Sequence, residues 1–135
     1  MQSIYLAGGC FWCTEAIFNY LSGVKKVVPG YIGGETDNPT YNEVCRGGTG
    51  HAEAIECNFD EKIISLNDIL EVFFSTHDPT QLNRQGNDIG TQYRSAIFCT
   101  SKKQKDEVEG FINIIRLNYE KKIVTEINNK SPWVS

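Results

Sequence analysis

A chain of 135 residues is the usual size of one domain and can bury roughly two thirds of its unfolded surface, so one core and one domain over residues 1–135 are expected. With 40% hydrophobic and 22% charged residues the composition is that of a folded soluble protein, and a formal net charge of −4 argues against nucleic acid or an anionic membrane as the main partner. No run of about 20 apolar residues is present and the opening residues lack the basic start and long apolar stretch of a signal peptide, so a cytoplasmic location is expected.

In chain order, a β-like run, Ile4-Tyr5-Leu6-Ala7, ends in Gly8-Gly9. A helical pattern follows, with Cys13, Ala16, Ile17, Tyr20 and Leu21 at i, i+3, i+4, i+7 and i+8, which predicts that this stripe faces the core. Gly23 is a plausible stop, and Val24 to Ile32 reads as strand broken by Pro29-Gly30. Gly33 to Gly50 is a long polar connection, interrupted by a short helical piece around Tyr41 to Cys45; connections of that length are often functional. From His51 to Phe59 the residues alternate, so Glu53, Ile55, Cys57 and Phe59 share one strand face. Ser65 precedes a helix with the stripe Leu66, Ile69, Leu70, Phe73 and an acid, Asp68, in its first turn. A second polar connection, His77 to Gln92, leads to a strand over Tyr93 to Cys99. Ser101-Lys102-Lys103-Gln104 has the form of a capping box, opening a long helix with Val108, Phe111, Ile112 and Ile115 on one face despite Gly110. A last strand is predicted over Ile123 to Ile127, before the tail Ser131-Pro132-Trp133-Val134-Ser135. This order predicts a mixed sheet with helices packed on it, of the α+β class.

The chemistry concentrates near Cys10, which falls where the first helix begins. Free backbone N–H groups and the positive end of the helix dipole favour an anion there, and a thiol lowered from about 8.5 to roughly 7 would be about half ionised near neutrality. Glu53 heads an otherwise apolar strand face, where desolvation raises a carboxyl pKa and keeps it protonated as a proton donor. Five cysteines, Cys10, Cys13, Cys45, Cys57 and Cys99, cannot all pair within one chain, which favours thiol chemistry over a disulfide framework. Cys13, three residues after Cys10, is either a second redox thiol or a packed one on the core stripe; Cys45, Cys57 and Cys99 read as small core hydrophobes, and His51 and His77 as hydrogen-bonded structural residues.

Six blocks in order then carry a resemblance over nearly the whole chain: Gly9-Cys10-Phe11-Trp12; Gly30-Tyr31 through Gly34; Asn38-Pro39-Thr40-Tyr41 with Val44-Cys45; Thr49-Gly50-His51-Ala52-Glu53-Ala54; His77-Asp78-Pro79; and Arg84-Gln85-Gly86-Asn87-Asp88 running to Gly90-Thr91-Gln92-Tyr93-Arg94-Ser95. The chain resembles the methionine sulfoxide reductases of class A. The resemblance implies a two-layer α/β sandwich with a ferredoxin-like core, and reduction of the S epimer of methionine sulfoxide, free or in oxidised proteins, to methionine. It implies Cys10 as nucleophile, Glu53 as proton donor, Phe11 and Trp12 as the pocket for the substrate methyl, and Tyr41, Asp88 and Tyr93 as hydrogen-bonding groups around the sulfoxide oxygen. No bound cofactor or metal is implied. The electron donor is thioredoxin or another dithiol, which restores Cys10 after its sulfenic acid condenses with a second thiol, for which Cys13 is the candidate. A monomer is expected.

Two departures accompany the resemblance: Cys13 stands where most relatives carry Gly, and the chain stops shortly after Trp133, where many continue. Three other readings were weighed. Cys10 and Cys13 alone suit a thioredoxin-like disulfide oxidoreductase, although Phe-Trp between them is unlike the usual redox loop. A zinc module lacks a second close pair of ligands. A shortened, idle relative serving as a binding module is the third.

Overall fold

The computed structural model describes residues 1–34, 40, 41, 43, 49–130, 133 and 134. Its centre is strand β1 (Gln2–Ala7), flanked on both sides by antiparallel neighbours, β3 (Ala52–Phe59) and β6 (Ala96–Cys99). Both faces of such a strand are covered, which is why Ile4-Tyr5-Leu6-Ala7 reads as an unbroken apolar run. Helix α1 (Phe11–Phe18) follows β1, strand β2 (Val24–Ile32) pairs antiparallel with β3, helix α2 (Leu66–Ser75) follows β3, and helix α3 (Lys102–Ile115) follows β6. Two short edge strands, β7 (Glu126–Asn129) beside β6 and β8 (Trp133–Val134) beside β2, complete the order β7-β6-β1-β3-β2-β8. A separate ribbon pairs β4 (Arg84–Gln85) with β5 (Asp88–Ile89). The unit β1-α1-β2-β3-α2-β6, in spatial order β6-β1-β3-β2, is the ferredoxin-like arrangement that the resemblance implied.

Ile4 and Leu6 of β1, Ile55, Cys57 and Phe59 of β3, and Ile97 and Cys99 of β6 form one core with Phe11 and Phe18 of α1, the α2 stripe, and Val108 and Ile112 of α3. Helices α1, α2 and α3 therefore lie on one face of the sheet, giving two layers. On the other face Tyr5, Ala7, Ile32, Ala52, Ala54, Ala96 and Phe98 pack together with Trp133.

Local rules account for most boundaries. Ser65 and Asp68 form a reciprocal capping box at α2. At α3 only half of the expected box forms: the Ser101 hydroxyl accepts from Gln104 N–H, while the buried Gln104 carboxamide accepts from Thr100 N–H and donates to the Ser3 carbonyl, tying the helix start to β1. Gly23 adopts φ +92° at the turn into β2, a conformation suited to glycine.

Four elements differ from the sequence reading. The α1 stripe is out of phase: Phe11, Thr14 and Phe18 are buried, while Cys13, Ala16, Ile17 and Tyr20 are exposed. Nearly every residue of this eight-residue helix is apolar, so no polar face sets its rotation, and the two large phenylalanine rings take the core side. β2 runs through Pro29 unbroken; among the described residues its outer edge is paired only at Tyr31 and Ile32, and proline is tolerated on an edge strand. The predicted strand from Tyr93 begins only at Ala96, because Thr91–Tyr93 form a 3₁₀ turn. The last strand starts three residues late: Val124 N–H donates to the Pro79 carbonyl, and only from Glu126 does the chain pair, in parallel, with β6. Tyr41 and Glu43 are helical, capped by reciprocal Thr40 and Glu43 hydrogen bonds, while Cys45 lies outside the described residues.

Replacing Ser65 with Ala should lower the unfolding free energy by about 1 kcal/mol, read from the urea midpoint at unchanged slope.

Candidate active site

Cys10 is the N-cap residue of α1, extended at φ −71° and ψ 123°, and its carbonyl accepts the Cys13 and Thr14 N–H groups at 3.2 and 3.3 Å. The approach to it needs glycine twice. Gly9 sits at φ +84°, and a Cβ on Gly8 would lie 2.9–3.0 Å from the ring of His77. That ring cannot give way: its Nδ1–H donates to the Phe73 carbonyl at 2.9 Å, its Nε2 accepts from the Ser95 hydroxyl at 2.7 Å, and Ser95 meets the Thr125 hydroxyl at 2.7 Å. Burial pulls the His77 pKa down to about 4, so the imidazole is a neutral floor beneath the β1 to α1 turn, the structural use expected of it. His51 likewise accepts the Gly34 N–H at 3.2 Å.

Glu53 lies on the α1 side of β3, 2% exposed. Its Oε1 accepts the Phe11 N–H at 3.4 Å, one residue after Cys10, whereas its buried Oε2 has no hydrogen-bond partner among the described residues. Burial is the main cause of a pKa raised to about 7, the Phe11 N–H opposes it, and the negative charge of Asp88 adds to it. The carboxyl group thus keeps a substantial protonated fraction, about half, near neutrality.

The Cys10 thiol behaves otherwise than its helix-start position suggests. Its pKa is raised, chiefly by burial, with Cys13 and Glu53 adding, and the N–H groups of Trp12 and Cys13 favour the thiolate without reversing this. A first turn of helix offsets only part of the desolvation of a half-buried sulfur.

Around these two groups the Phe11 ring is buried and its centroid lies 4.6 Å from Trp12, 5.6 Å from Tyr31 and 6.4 Å from Tyr41. Trp12 and Tyr41 are about half exposed, so the cluster has a dry base and an open rim. Tyr31 escaped the sequence reading as a site residue. It stands directly opposite Glu53 in the β2–β3 register, hence on the same face, and strand parity within Gly30-Tyr31 was the signal available.

Asp88, on β5, and Gln85, on β4, line a small cleft with Cys10, Cys13 and His77. The Gln85 carboxamide exchanges two hydrogen bonds with the backbone of Asp78 and the Gln85 Cβ and Cγ would touch a Cβ on Gly9, so the side chain pins the ribbon against the Cys10 turn. Tyr93 is half-buried at the end of the 3₁₀ turn. Cys13 is exposed rather than packed, the reverse of its place on the predicted stripe. Cys57 and Cys99 are buried, their thiols pushed up to about 12 and about 11, as inert core residues would be. Among the described residues no group of three or more His, Cys, Asp or Glu could hold a metal ion.

The sequence profile of the family described as peptide methionine sulfoxide reductase matches residues 2–135. The chain belongs to this family. The peptide methionine sulfoxide reductase MsrA of Erwinia tasmaniensis is 57% identical over 95% of this chain and 72% of its own length, and that of Trichodesmium erythraeum 53% identical over 94% and 73%. Among solved structures, methionine sulfoxide reductase A of Corynebacterium diphtheriae superposes with a TM-score of 0.90 at 35% identity, covering 94% of this chain and 64% of that one. Mxr1 of Saccharomyces cerevisiae in reduced form gives 0.93 at 36% identity, covering 98% and 77%. The same Mxr1 in complex with Trx2 gives 0.76 at 25% identity, covering 99% and 79%. The activity is therefore thiol-dependent reduction of methionine sulfoxide, and the thioredoxin-like and idle-relative readings are not favoured.

Linkage at Glu53 gives a stability test of its buried carboxyl. The unfolded acid ionises near 4.5 and the folded one near 7. Its contribution is therefore fully present below 4.5 and lost as pH rises through 7. The stability of Glu53→Gln relative to the parent should thus rise by about 3 kcal/mol between pH 4.5 and 7.5 in urea denaturation.

Proposed function

We propose that this reductase acts on the S epimer of methionine sulfoxide, with Cys10 as nucleophile and Glu53 as proton donor. The observation carrying this assignment is the buried Glu53, its pKa raised to about 7, with one oxygen lacking a hydrogen-bond partner among the described residues and the other bonded to the residue next to Cys10. An unmet acceptor or donor in a dry site costs about 1–3 kcal/mol, which a substrate oxygen would recover by accepting the acid's proton.

The chemistry balances without an added proton. The Cys10 sulfur bonds to the sulfoxide sulfur while the oxygen takes the Glu53 and thiol protons and leaves as water with breakage of the S–O bond; that water then attacks the Cys10 sulfur and returns a proton to Glu53, and the new S–S bond breaks with its electron pair on the departing methionine. The oxygen ends on Cys10 as a sulfenic acid, and the thiol proton replaces the one that Glu53 gave. With Cys10 as a thiol and Glu53 in its protonated fraction, the pair holds the two protons that the exchange requires. Phe11 and Trp12 would receive the S-methyl, as sulfur and methyl groups pack on rings. Tyr41 at the rim and Asp88 across the cleft would orient the oxygen, with Tyr93 supporting them. Cys13 would then displace water from the Cys10 sulfenic acid to form a disulfide, and thioredoxin or a similar dithiol would reduce it.

The reading takes residues 1–135 as one catalytic domain of a cytoplasmic monomer. The net charge of −4 supports it, and among the described residues no helix is long and apolar enough to cross a membrane.

In single turnover, Cys10→Ser should release no methionine from an S-sulfoxide, and the R epimer should be inert with the parent. Glu53→Gln should lower the single-turnover rate a hundred- to ten-thousand-fold with the Cys10 thiol still titratable. Cys13→Ser should complete one turnover at the parent rate and then accumulate the sulfenic acid, detected by dimedone trapping; sustained thioredoxin-driven turnover would remove Cys13 as the resolving thiol.

A further inference from the structure

The stripe that periodicity assigns to the core is turned outward: Cys13, Ala16 and Ile17 lie exposed on α1, and Tyr20 in the turn just past its C-cap Asn19, with Ile17 42% and Tyr20 90% exposed. An uncharged outward patch at i, i+3 and i+4, extended by a tyrosine beyond the helix end, has the pattern of a surface built to meet another one. It begins at a thiol. Of the two sulfurs that would form the disulfide, Cys10 is half-buried in the cleft and Cys13 is exposed at the head of the stripe.

We propose that this face of α1 is the docking surface for the dithiol protein that reduces the Cys10–Cys13 disulfide, and that its thiolate attacks Cys13 rather than Cys10. The proposal rests on Cys13 being the resolving thiol. Thiol–disulfide exchange passes through a mixed disulfide in which the two sulfurs are bonded, so whatever surrounds the attacked sulfur is covered by the partner. The reductant's thiolate bonds to Cys13 Sγ, the Cys10–Cys13 bond breaks, and its electron pair leaves on Cys10. Access rather than leaving-group acidity selects the sulfur attacked: Cys13 is exposed, while Cys10 is half-buried in the cleft. The reductant's second thiolate then attacks its own bonded sulfur and expels Cys13 as thiolate. Two protons return Cys10 and Cys13 to thiols, and the reductant leaves as a disulfide. A second copy of this chain seated on the face would close Cys13 from every reductant, which argues for the dithiol protein as occupant.

The test compares thioredoxin with dithiothreitol as electron donor for the full chain and for a double variant, Ala16→Glu with Tyr20→Asp, both positions being solvent-exposed. The expected result is at least a tenfold rise in KM for thioredoxin, with single-turnover methionine release and dithiothreitol-supported kcat/KM within twofold of the parent. Thioredoxin lacking its second cysteine should be trapped on Cys13 by mass mapping. An unchanged thioredoxin KM, or an adduct on Cys10, overturns the proposal. Absence of methionine release by the parent would remove the reductase reading itself. Release without a Cys10–Cys13 disulfide would remove Cys13 as resolver and the proposal with it, so the failures are distinguishable.

Discussion

The site depends on one burial: a carboxyl group placed inside the helix side of the sheet, with a single backbone N–H for company. Glu53 is held there because β3 is fixed on both sides, by β1 and by β2, and its face continues through Ile55, Cys57 and Phe59 into the main core. Withdrawal from water raises the pKa of the group to about 7, and the N–H that contacts it belongs to Phe11, so the same bond sets α1 and Cys10 in place. The proposed acid and nucleophile are therefore located by one hydrogen bond between a strand and a helix start. Catalytic geometry built on such elements is more rigid than geometry carried by loops.

A second buried group balances the first. His77 is kept neutral by desolvation, with a pKa near 4, and Glu53 is kept neutral with one near 7. Between about pH 4.5 and 6.5 the unfolded chain would carry a carboxylate and an imidazolium where the folded one carries neither. The linkage at Glu53 weakens the fold as pH rises and the linkage at His77 weakens it as pH falls, so the two slopes oppose each other over this window. His77 also sets the shape of the turn: its ring, bonded at both nitrogens, leaves room only for glycine at position 8.

The helix that presents Cys10 divides its labour by face. Phe11 and Phe18 anchor it to the sheet, Trp12 joins the aromatic cluster that opens to solvent, and Cys13 heads an apolar stripe turned outward. The modest helix length leaves the dipole too weak to ionise the thiol against burial, which fits a reaction whose proton balance needs the thiol proton.

Much was legible before any coordinates. Alternation placed Glu53 with Ile55, Cys57 and Phe59, the α2 stripe and its cap were plain, and the motif blocks named the family, because period-2 burial, capping chemistry and short motifs are properties of neighbouring residues. Three features were decided only by tertiary structure. The rotation of α1 was illegible because its residues are apolar almost all round, so contact with Glu53 and Tyr31 had to choose the buried side. The start of β7 depended on Pro79, far away in sequence, taking the Val124 N–H. The raised Cys10 pKa reflects how deeply the folded chain covers one sulfur, a quantity that local sequence does not contain.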